Sequence, residues 1–219
     1  MYSGKLPWQD IDTVLLDMDG TILDLHYDNH FWLSYIPEVY ARANNLSVDD
    51  AKQHLFAQFD ANRGTLDWYC IDHWSEQLGL DIAKLKHDTA DKITFRPNAQ
   101  RFLAYLQNQG KQVILVTNAH PKTLEVKRLN SDFHHYFSSL ISTHDLGYPK
   151  EQQNLWRVLK QRVNFDPDRT LFIDDSLTIL QAADTFGIKY VLGIYQPDSQ
   201  QPGRTMSPFE VVNDFADIY

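Results

Sequence analysis

Five short apolar runs divide the chain, and stretches with helical periodicity separate most of them. The runs are rich in β-branched and large apolar residues and mostly lack polar–apolar alternation, which is typical of strands buried on both faces of a parallel sheet. The strand-like runs are residues 13–19, 111–118, 138–143, 170–175 and 189–195, and the helical stretches are residues 98–109, 121–130, 151–162 and 177–186. This alternation predicts a doubly wound, Rossmann-like α/β fold with right-handed crossovers.

Residues 26–95 interrupt the alternation and contain no convincing strand. Their periodicity and capping signals predict four helices. These are a first helix with an apolar stripe from Trp32 to Ala43 and a kink at Pro37, a second that starts at Ser47, a third over residues 66–78, and a fourth that begins after Asp81. We therefore expect an α/β core domain made of residues 1–25 and 96–219, with an all-helical cap domain of residues 26–95 inserted into it.

Charge and composition exclude several classes of partner. Lys and Arg total 20 against 29 Asp and Glu, a net charge of −9, whereas nucleic-acid binding depends on clustered basic residues. No segment has the ~20 apolar residues of a membrane span, and the N-terminus lacks the pattern of a signal peptide. Cys70 is the only cysteine, so we expect no internal disulfide and no zinc site. The expectation is a soluble cytoplasmic protein that binds neither nucleic acid nor a membrane.

Four polar patches stand at or just beyond the ends of predicted strands, where ligands bind in open α/β sheets. In the first patch, Asp17 and Asp19 are two residues apart at a strand exit, so both point toward the same side. One carboxylate can attack phosphorus, and the other can act as general acid and then as general base. An ordinary Asp-Gly turn with surface acids gives the same pattern.

The second and third patches carry groups that bind phosphate. Thr117 and Asn118 precede a helix that begins at Pro121, and a hydroxyl and backbone amides at such a position are natural phosphate ligands. Simple helix capping also explains them. Lys150 is expected at the start of a helix, where the helix dipole disfavours a cation. Either a bound phosphate or an ion pair with Glu151 on the surface accounts for its position.

The fourth patch, Asp174 and Asp175, follows the apolar run LFI. Adjacent carboxylates beside a core strand repel one another and lose hydration unless a cation compensates them. Hard oxygen ligands of this kind favour Mg²⁺. The alternative is that one of them, or Ser176, caps the helix over residues 177–186.

Taken in order, DMDGT, VTN, the lone Lys150 and FIDDS resemble the four motifs of the haloacid dehalogenase-like hydrolase superfamily. The resemblance implies that Asp17 is the nucleophile, which forms an aspartyl-phosphate, and that Asp19 is the acid and base. It also implies that Thr117 and Asn118 bind the transferring phosphoryl group while Lys150 neutralises its charge.

The same resemblance implies a magnesium site and a reaction type. Mg²⁺ would be held by Asp17, the carbonyl of Asp19 and Asp175, with Asp174 assisting. Because the dehalogenases of the superfamily lack the second Asp, the presence of Asp19 favours phosphoryl transfer over dehalogenation. The helical insert falls where the superfamily places its helical cap.

A closer resemblance, to the bacterial GMP/IMP nucleotidase branch, runs from about residue 8 to residue 198 and includes DNHFW, TLDWYCIDHWSEQLGLDI, TNAHP and GYPKE. It implies an Mg²⁺-dependent 5′-nucleotidase that hydrolyses purine nucleoside monophosphates. Asp28, Trp32 and His120 are the candidate substrate contacts besides Asn118 and Lys150. A sugar-phosphate phosphatase or phosphomutase would keep the same core residues, and a non-catalytic protein that binds a phosphate ligand is the remaining alternative.

Overall fold

The computed structural model describes Tyr2 and residues 6–219. Its centre is a six-stranded sheet in the order β3-β2-β1-β4-β5-β6, in which every neighbouring pair is parallel. The strands are β1 (Thr13–Leu16), β2 (Gln112–Thr117), β3 (Ser139–Ser142), β4 (Thr170–Asp174), β5 (Tyr190–Ile194) and β6 (Val211–Val212). The predicted α/β fold class is confirmed. The five expected strands are present in shorter form, and the two-residue β6, which the apolar pattern does not predict, lies beside β5.

Ten α-helices fall within the part of the chain that the structure describes. They are α1 (His26–His30), α2 (Ile36–Asn44), α3 (Val48–Asn62), α4 (Leu66–Tyr69), α5 (Ile71–Leu78), α6 (Ile82–Asp88), α7 (Ala99–Asn108), α8 (Pro121–Ser131), α9 (Gln153–Val163) and α10 (Leu177–Phe186). Within these same residues, no helix is both long and apolar enough to cross a membrane.

Alternate residues of the central strands pack into two separate apolar clusters, one on each face of the sheet. Val14 and Leu16 of β1 belong to one cluster, whereas Leu15 lies in the other with Ile114 and Phe172. Because helices cover both faces, both sets of positions must be apolar, which explains the unalternating sequence of the strands.

The order of the strands creates a switch point beside β1. The chain builds β2 and β3 on one side of β1 and then crosses to place β4 on the other side. Leu16, the last residue of β1, is opposite Leu115 of β2 and Ile173 of β4. The residues that follow these three strands therefore meet at one edge of the sheet, where open α/β sheets bind their ligands.

None of the strands falls within residues 26–95, which we call the helical insert. The insert has an apolar cluster of its own, in which Phe31, Phe59 and Trp74 are buried. Ser47 accepts a hydrogen bond from the backbone N–H of Asp50 at 3.1 Å, which confirms the predicted N-cap of α3.

Two of the predicted helices in the insert differ from the expectation. The first predicted helix contains a π-helical turn, Phe31–Tyr35, which ends two residues before Pro37. A proline inside a helix lacks an N–H and clashes with the carbonyl four residues before it, and a wider turn relieves both problems. The third one is broken at Cys70, whose backbone is extended, into α4 and α5.

Candidate active site

Three carboxylates converge at the edge of the sheet where β1 and β4 end. Asp17 directly follows β1, and its N–H donates to the carbonyl of Ile173 in β4 at 3.0 Å. Asp174 is the last residue of β4, and Asp175 follows it. One carboxylate oxygen from each of Asp17, Asp174 and Asp175 lies within 4.8 Å of the others. The parallel register therefore brings together acids that are more than 150 residues apart in sequence.

Lys150 lies in a turn that precedes α9, not at the start of a helix as the sequence predicts. Its Nζ donates to Asp17 Oδ1 at 2.5 Å and to Asp174 Oδ2 at 2.7 Å, and its side chain is 1% exposed. The alternative prediction, that Lys150 lies on the surface and pairs with Glu151, is therefore wrong. Although burial lowers the pKa of Lys150, the two carboxylates outweigh it, and its pKa stands above the ordinary value.

Asn118 holds the turn that presents Lys150. Its Oδ1 accepts from the backbone N–H of Lys150 and from Thr143 Oγ1, both at 2.9 Å, and its Nδ2 donates to Glu151 at 3.0 Å. Glu151 also accepts from the hydroxyl of Tyr69 in the insert at 2.8 Å. The side-chain amide of Asn118 thus positions the lysine, a role that the motif alone does not indicate. Its contact with a phosphoryl group stays a prediction.

Thr117, at the end of β2, is buried beside the same carboxylates and lines the cavity described below. Its hydroxyl accepts a hydrogen bond from the backbone N–H of Ala119 at 3.0 Å.

The alternative role of Asp174 as a cap also has support, because Asp174 Oδ1 accepts from the N–H of Ser176 at 2.8 Å. Asp174 therefore uses one oxygen to begin the turn into α10 and the other to bind Lys150.

Asp19 has a separate cation, Lys127 of α8. The Nζ of Lys127 donates to both Asp19 and Asp28, and the side chain of Lys127 is 1% exposed. Burial raises the pKa of Asp19 to about 7, against the attraction of Lys127. Lys127 does not stand out in the sequence as a site residue, although its position beside Thr123 and Val126 on one face of α8 is a signal that it faces inward.

Asp28, at the start of the insert, joins Lys127 to a second buried lysine. Lys86 of α6 donates to Asp28 Oδ1 at 3.1 Å and is 1% exposed. Burial alone would raise the pKa of Asp28, but Lys127 and Lys86 together hold it below its usual value. Lys86, which does not stand out in the sequence either, has its pKa lowered by burial. The chain Asp19–Lys127–Asp28–Lys86 thus links the loop after β1 to the insert.

The three carboxylates of the cluster face two cations, the buried Lys150 and the partly exposed Arg204, whose guanidinium lies 3.3 Å from Asp175 Oδ2. Burial raises the pKa of Asp17 to about 6 and also raises that of Asp174. Burial, followed by repulsion from Asp174 and Asp17, raises the pKa of Asp175 well above its ordinary value. Three hard oxygen donors in so small a volume fit a divalent cation.

Gly20 keeps the space beside this cluster open. Its φ of +83° is a conformation that other residues rarely adopt, and an added Cβ would lie 2.7 Å from the carboxylate of Asp175. Any side chain at position 20 would therefore displace Asp175 from the cluster.

A cavity of about 280 Å³ extends from the carboxylates to the insert. Asp17, Asp19, Thr117, Asn118, Lys150, Asp174 and Asp175 line one end. The other end is mostly aromatic and apolar and includes Trp32, Phe59, Trp68, Tyr69, Ile71 and Trp74. Its mixed lining is typical of a site for a small molecule, and its volume lies just below the usual range of roughly 300–1,000 Å³.

The structure places the three candidate contacts near the insert differently. Asp28 and Trp32 line the cavity, whereas His120 is absent from the described residues that do so. His120 caps α8 instead: its Nδ1 accepts from the N–H of Lys122 at 3.3 Å, and its Nε2 lies 3.7 Å from Asp72 of the insert.

Comparison with known proteins identifies the family. The profile described as haloacid dehalogenase-like hydrolase matches residues 11–187, which is most of the chain. The chain belongs to this hydrolase family. The predicted resemblance is therefore confirmed, and the protein is a hydrolase of the haloacid dehalogenase-like type.

Individual relatives agree with this assignment. The GMP/IMP nucleotidase YrfG of Escherichia coli (strain K12) is 44% identical over 211 residues, which cover 96% of this chain and 95% of the relative. The phosphoglycolate phosphatase of Pseudomonas putida is 22% identical over 229 residues, covering 98% of this chain and 79% of the relative. A crystal structure of an HAD phosphatase from Thermococcus onnurineus superimposes with a TM-score of 0.79 at 21% identity, covering 94% and 95% of the two chains, and supports the fold alone.

Proposed function

We propose that the protein is an Mg²⁺-dependent phosphomonoesterase that hydrolyses purine nucleoside 5′-monophosphates such as GMP and IMP. The observation that carries this proposal is that Asp17 and Asp19, which follow β1, line one cavity and each contact a buried lysine. The same cavity is lined by the cluster that Asp17 forms with Asp174 and Asp175. The choice of nucleotide is supported by the 44% identity to a relative of that name over almost the whole chain.

In the first step, a carboxylate oxygen of Asp17 attacks the phosphorus atom, and the bond between phosphorus and the ester oxygen breaks. The product on the protein is an aspartyl-phosphate. Asp19 gives its proton to the leaving oxygen. The pKa of Asp19, raised by burial to about 7, suits it to do so near neutral pH, since a general acid works best when its pKa is close to the ambient pH.

In the second step, Asp19 takes a proton from a water molecule, which attacks phosphorus and breaks the bond to Asp17. Lys150 offsets negative charge on the phosphoryl oxygens, and Thr117 and the backbone around Asn118 bind them. Bound Mg²⁺ would be held by Asp17, the Asp19 carbonyl and Asp175, with Asp174 assisting, and would neutralise further charge on the phosphoryl group.

The helical insert serves as a cap in this proposal. It covers the cavity from the side opposite the carboxylates, so it excludes water from the reacting phosphoryl group and supplies the aromatic surface for the base. Asp28 and Trp32 are the proposed contacts from this side. The domain division into residues 1–25 with 96–219 and residues 26–95 is part of the same proposal.

The test of the substrate is phosphate release with Mg²⁺ from a panel of nucleotides and sugar phosphates. We expect the highest kcat/KM for GMP and IMP. Trp32→Leu should lower kcat/KM for GMP by roughly 5- to 150-fold, the equivalent of about 1–3 kcal/mol of stacking on a base. The same variant should leave hydrolysis of ribose 5-phosphate, which has no base, nearly unchanged.

Trp8→Leu is the matched control, because Trp8 packs against the core domain outside the cavity. Preference for hexose phosphates over GMP would keep the catalytic assignments and replace the nucleotide by a sugar phosphate. Ligand binding without phosphate release in the presence of Mg²⁺ would favour a non-catalytic protein.

The cation requirement leads to a second prediction. EDTA should abolish turnover, and Mg²⁺ should restore it. Mg²⁺ should also raise the melting temperature of the wild-type protein but not that of Asp175→Asn, which removes one charge from the cluster. Without metal, Asp175→Asn should be at least as stable as the wild type, since it removes the repulsion from Asp174 and Asp17 and gives up only the partly exposed ion pair with Arg204. Calorimetry with and without Mg²⁺ measures both effects.

The sign of the pH dependence follows from the raised pKa of Asp17. Its folded-state pKa of about 6 exceeds the ordinary 3.8, so the metal-free folded protein binds more protons than the unfolded chain between these values. Its stability should therefore fall as the pH rises through this window, and Mg²⁺ should stabilise the protein more at about pH 8 than at about pH 5. Asp184→Asn, on the exposed surface of α10, should behave as wild type.

For the EDTA experiment, turnover that survives removal of the metal would contradict the assignment of a required cation.

A further inference from the structure

Three side chains that coordinate soft and borderline metals meet where the helical insert contacts the core. Cys70 comes from the break between α4 and α5, His120 from the N-cap of α8, and His144 from the 3-10 helix Thr143–Leu146. The Cys70 sulfur and one ring nitrogen from each histidine lie within 4.8 Å of one another. The sequence-based expectation that Cys70 lacks the partners of a zinc site is therefore wrong.

The potential ligand atoms have few competing partners among the described residues. His144 Nε2 is buried and makes no hydrogen bond with any of them. The Cys70 sulfur accepts a single long hydrogen bond, from the N–H of His73 at 3.4 Å. His120 engages its Nδ1 with the N–H of Lys122, so its Nε2 remains for another partner. A buried ring nitrogen without a partner is uncommon in folded proteins and requires an explanation.

The donor set matches zinc in type and in spacing. Zn²⁺ binds thiolate sulfur at ~2.3 Å and imidazole nitrogen at ~2.0–2.1 Å in tetrahedral sites, which places ligand atoms about 3.3–3.8 Å apart. Because the three atoms lie within 4.8 Å of one another, shifts of at most about 1.5 Å would bring them to that spacing. A water molecule would complete the tetrahedron, since Asp72, which lies 3.7 Å from His120 Nε2, is not part of the three-residue cluster.

Burial also favours the form of the two imidazoles that binds a metal. It lowers the pKa of both His120 and His144, which disfavours their protonated forms. Neutral imidazole is the form that coordinates.

We propose that Cys70, His120 and His144 form a binding site for Zn²⁺ that joins the insert to the core. The site is separate from the carboxylate cluster, whose hard oxygen donors favour Mg²⁺. Near it, the insert and core are joined by the hydrogen bond from Tyr69 to Glu151 and by the exposed ion pair of Asp72 with Lys122. Exposed ion pairs contribute little, whereas a metal ligated from both sides holds two surfaces firmly.

The consequence of this site is inhibition. A cation that ties α5 of the insert to α8 and the 3-10 helix of the core would hold the cavity closed and slow substrate entry and product release. This consequence rests on the proposed phosphatase function, but the binding site itself does not.

The direct test uses Co²⁺ as a spectroscopic substitute for Zn²⁺, with the carboxylate cluster saturated by Mg²⁺. Because Cys70 is the only cysteine in the chain, a near-ultraviolet thiolate-to-cobalt charge-transfer band can report this site alone. We expect the band to saturate at one Co²⁺ per chain and to disappear when Zn²⁺ is added. Cys70→Ser should abolish it, and His144→Gln should weaken Co²⁺ binding by at least about tenfold, since second-sphere changes alone cost 10–100-fold.

The matched control is His135→Gln, on an exposed histidine outside the cluster, which should bind Co²⁺ as the wild type does. Absence of the thiolate band at saturating Co²⁺ would overturn the proposal. So would a band that His144→Gln leaves unchanged, because the metal would then sit on Cys70 without the core ligands.

The second arm measures turnover with Mg²⁺ in excess. Zn²⁺ should inhibit the wild type and His135→Gln, and Cys70→Ser should retain wild-type turnover and lose the inhibition. Equal inhibition of all three proteins would mean that Zn²⁺ acts at the carboxylate cluster, and the inhibitory role would be rejected. If no phosphatase activity is found, the cobalt spectrum still decides the binding site.

Discussion

Asp17→Asn is expected to lower the turnover of GMP by roughly 10⁴-fold or more, which is the usual size of effect when a catalytic nucleophile is removed. The amide of Asn has nearly the same shape as the carboxylate, but it does not attack phosphorus and cannot form the aspartyl-phosphate. The fold should survive, since the substitution removes a charge from a crowded cluster and leaves Lys150 paired with Asp174. Steady-state kinetics with GMP, together with the melting temperature, test the two statements separately.

The control for this variant is Asp168→Asn, an exposed acid in the turn before β4. It should keep wild-type turnover. Turnover of Asp17→Asn close to the wild-type value would remove Asp17 from the role of nucleophile, whatever its effect on stability. Loss of turnover accompanied by unfolding would instead assign Asp17 to the structure of the cluster.

Lys150→Met is expected to have the largest effect on stability as well as a large effect on activity. Without Lys150, the buried carboxylates of Asp17 and Asp174 lose their shared cation, and breaking a buried ion pair from one side costs about 3–5 kcal/mol. The kcat for GMP should fall by roughly 10²–10³-fold, a typical loss for a group that stabilises developing charge. Urea unfolding without metal measures the stability, and Mg²⁺ should restore part of it.

The effect of the lost charge can be separated from simple loss of packing. The double variant Lys150→Met with Asp174→Asn removes one of the stranded carboxylates, so it should be more stable than Lys150→Met alone. Lys160→Met, at an exposed position of α9, should match the wild type in both measurements. If the double variant is no more stable than the single one, the ion pair does not explain the burial of Lys150.

The two lysines give the two catalytic candidates different environments. Asp17 shares Lys150 with Asp174, whereas Asp19 shares Lys127 with Asp28 of the insert. The pKa is raised in both, to about 6 for Asp17 and about 7 for Asp19, because burial outweighs attraction to the lysines. A carboxyl group that keeps its proton near neutral pH suits a general acid, which is the role proposed for Asp19. Asp28 also makes the environment of Asp19 depend on the position of the insert.

Much of the fold and of the core site could be predicted from the sequence because local patterns determine them. Apolar runs without alternation identified five strands of a doubly wound sheet, since helices cover both faces and every position of such a strand must be apolar. The polar residues after β1, β2 and β4 could be grouped in one site, because the carboxyl ends of parallel strands meet at one edge. The motifs alone also led to the family that the profile comparison confirms.

Only the tertiary structure decided which partner each charged group has. The pairings of Lys127 with Asp19, of Lys86 with Asp28 and of Asn118 with the turn at Lys150 join residues 32 to 108 positions apart. No periodicity within one element encodes such contacts, since they depend on how separate helices dock onto the sheet. The same reason applies to Cys70, because the two histidines of its cluster lie 50 and 74 positions away in sequence. Docking of α4 and α5 beside α8 brings its sulfur within reach of His120 and His144.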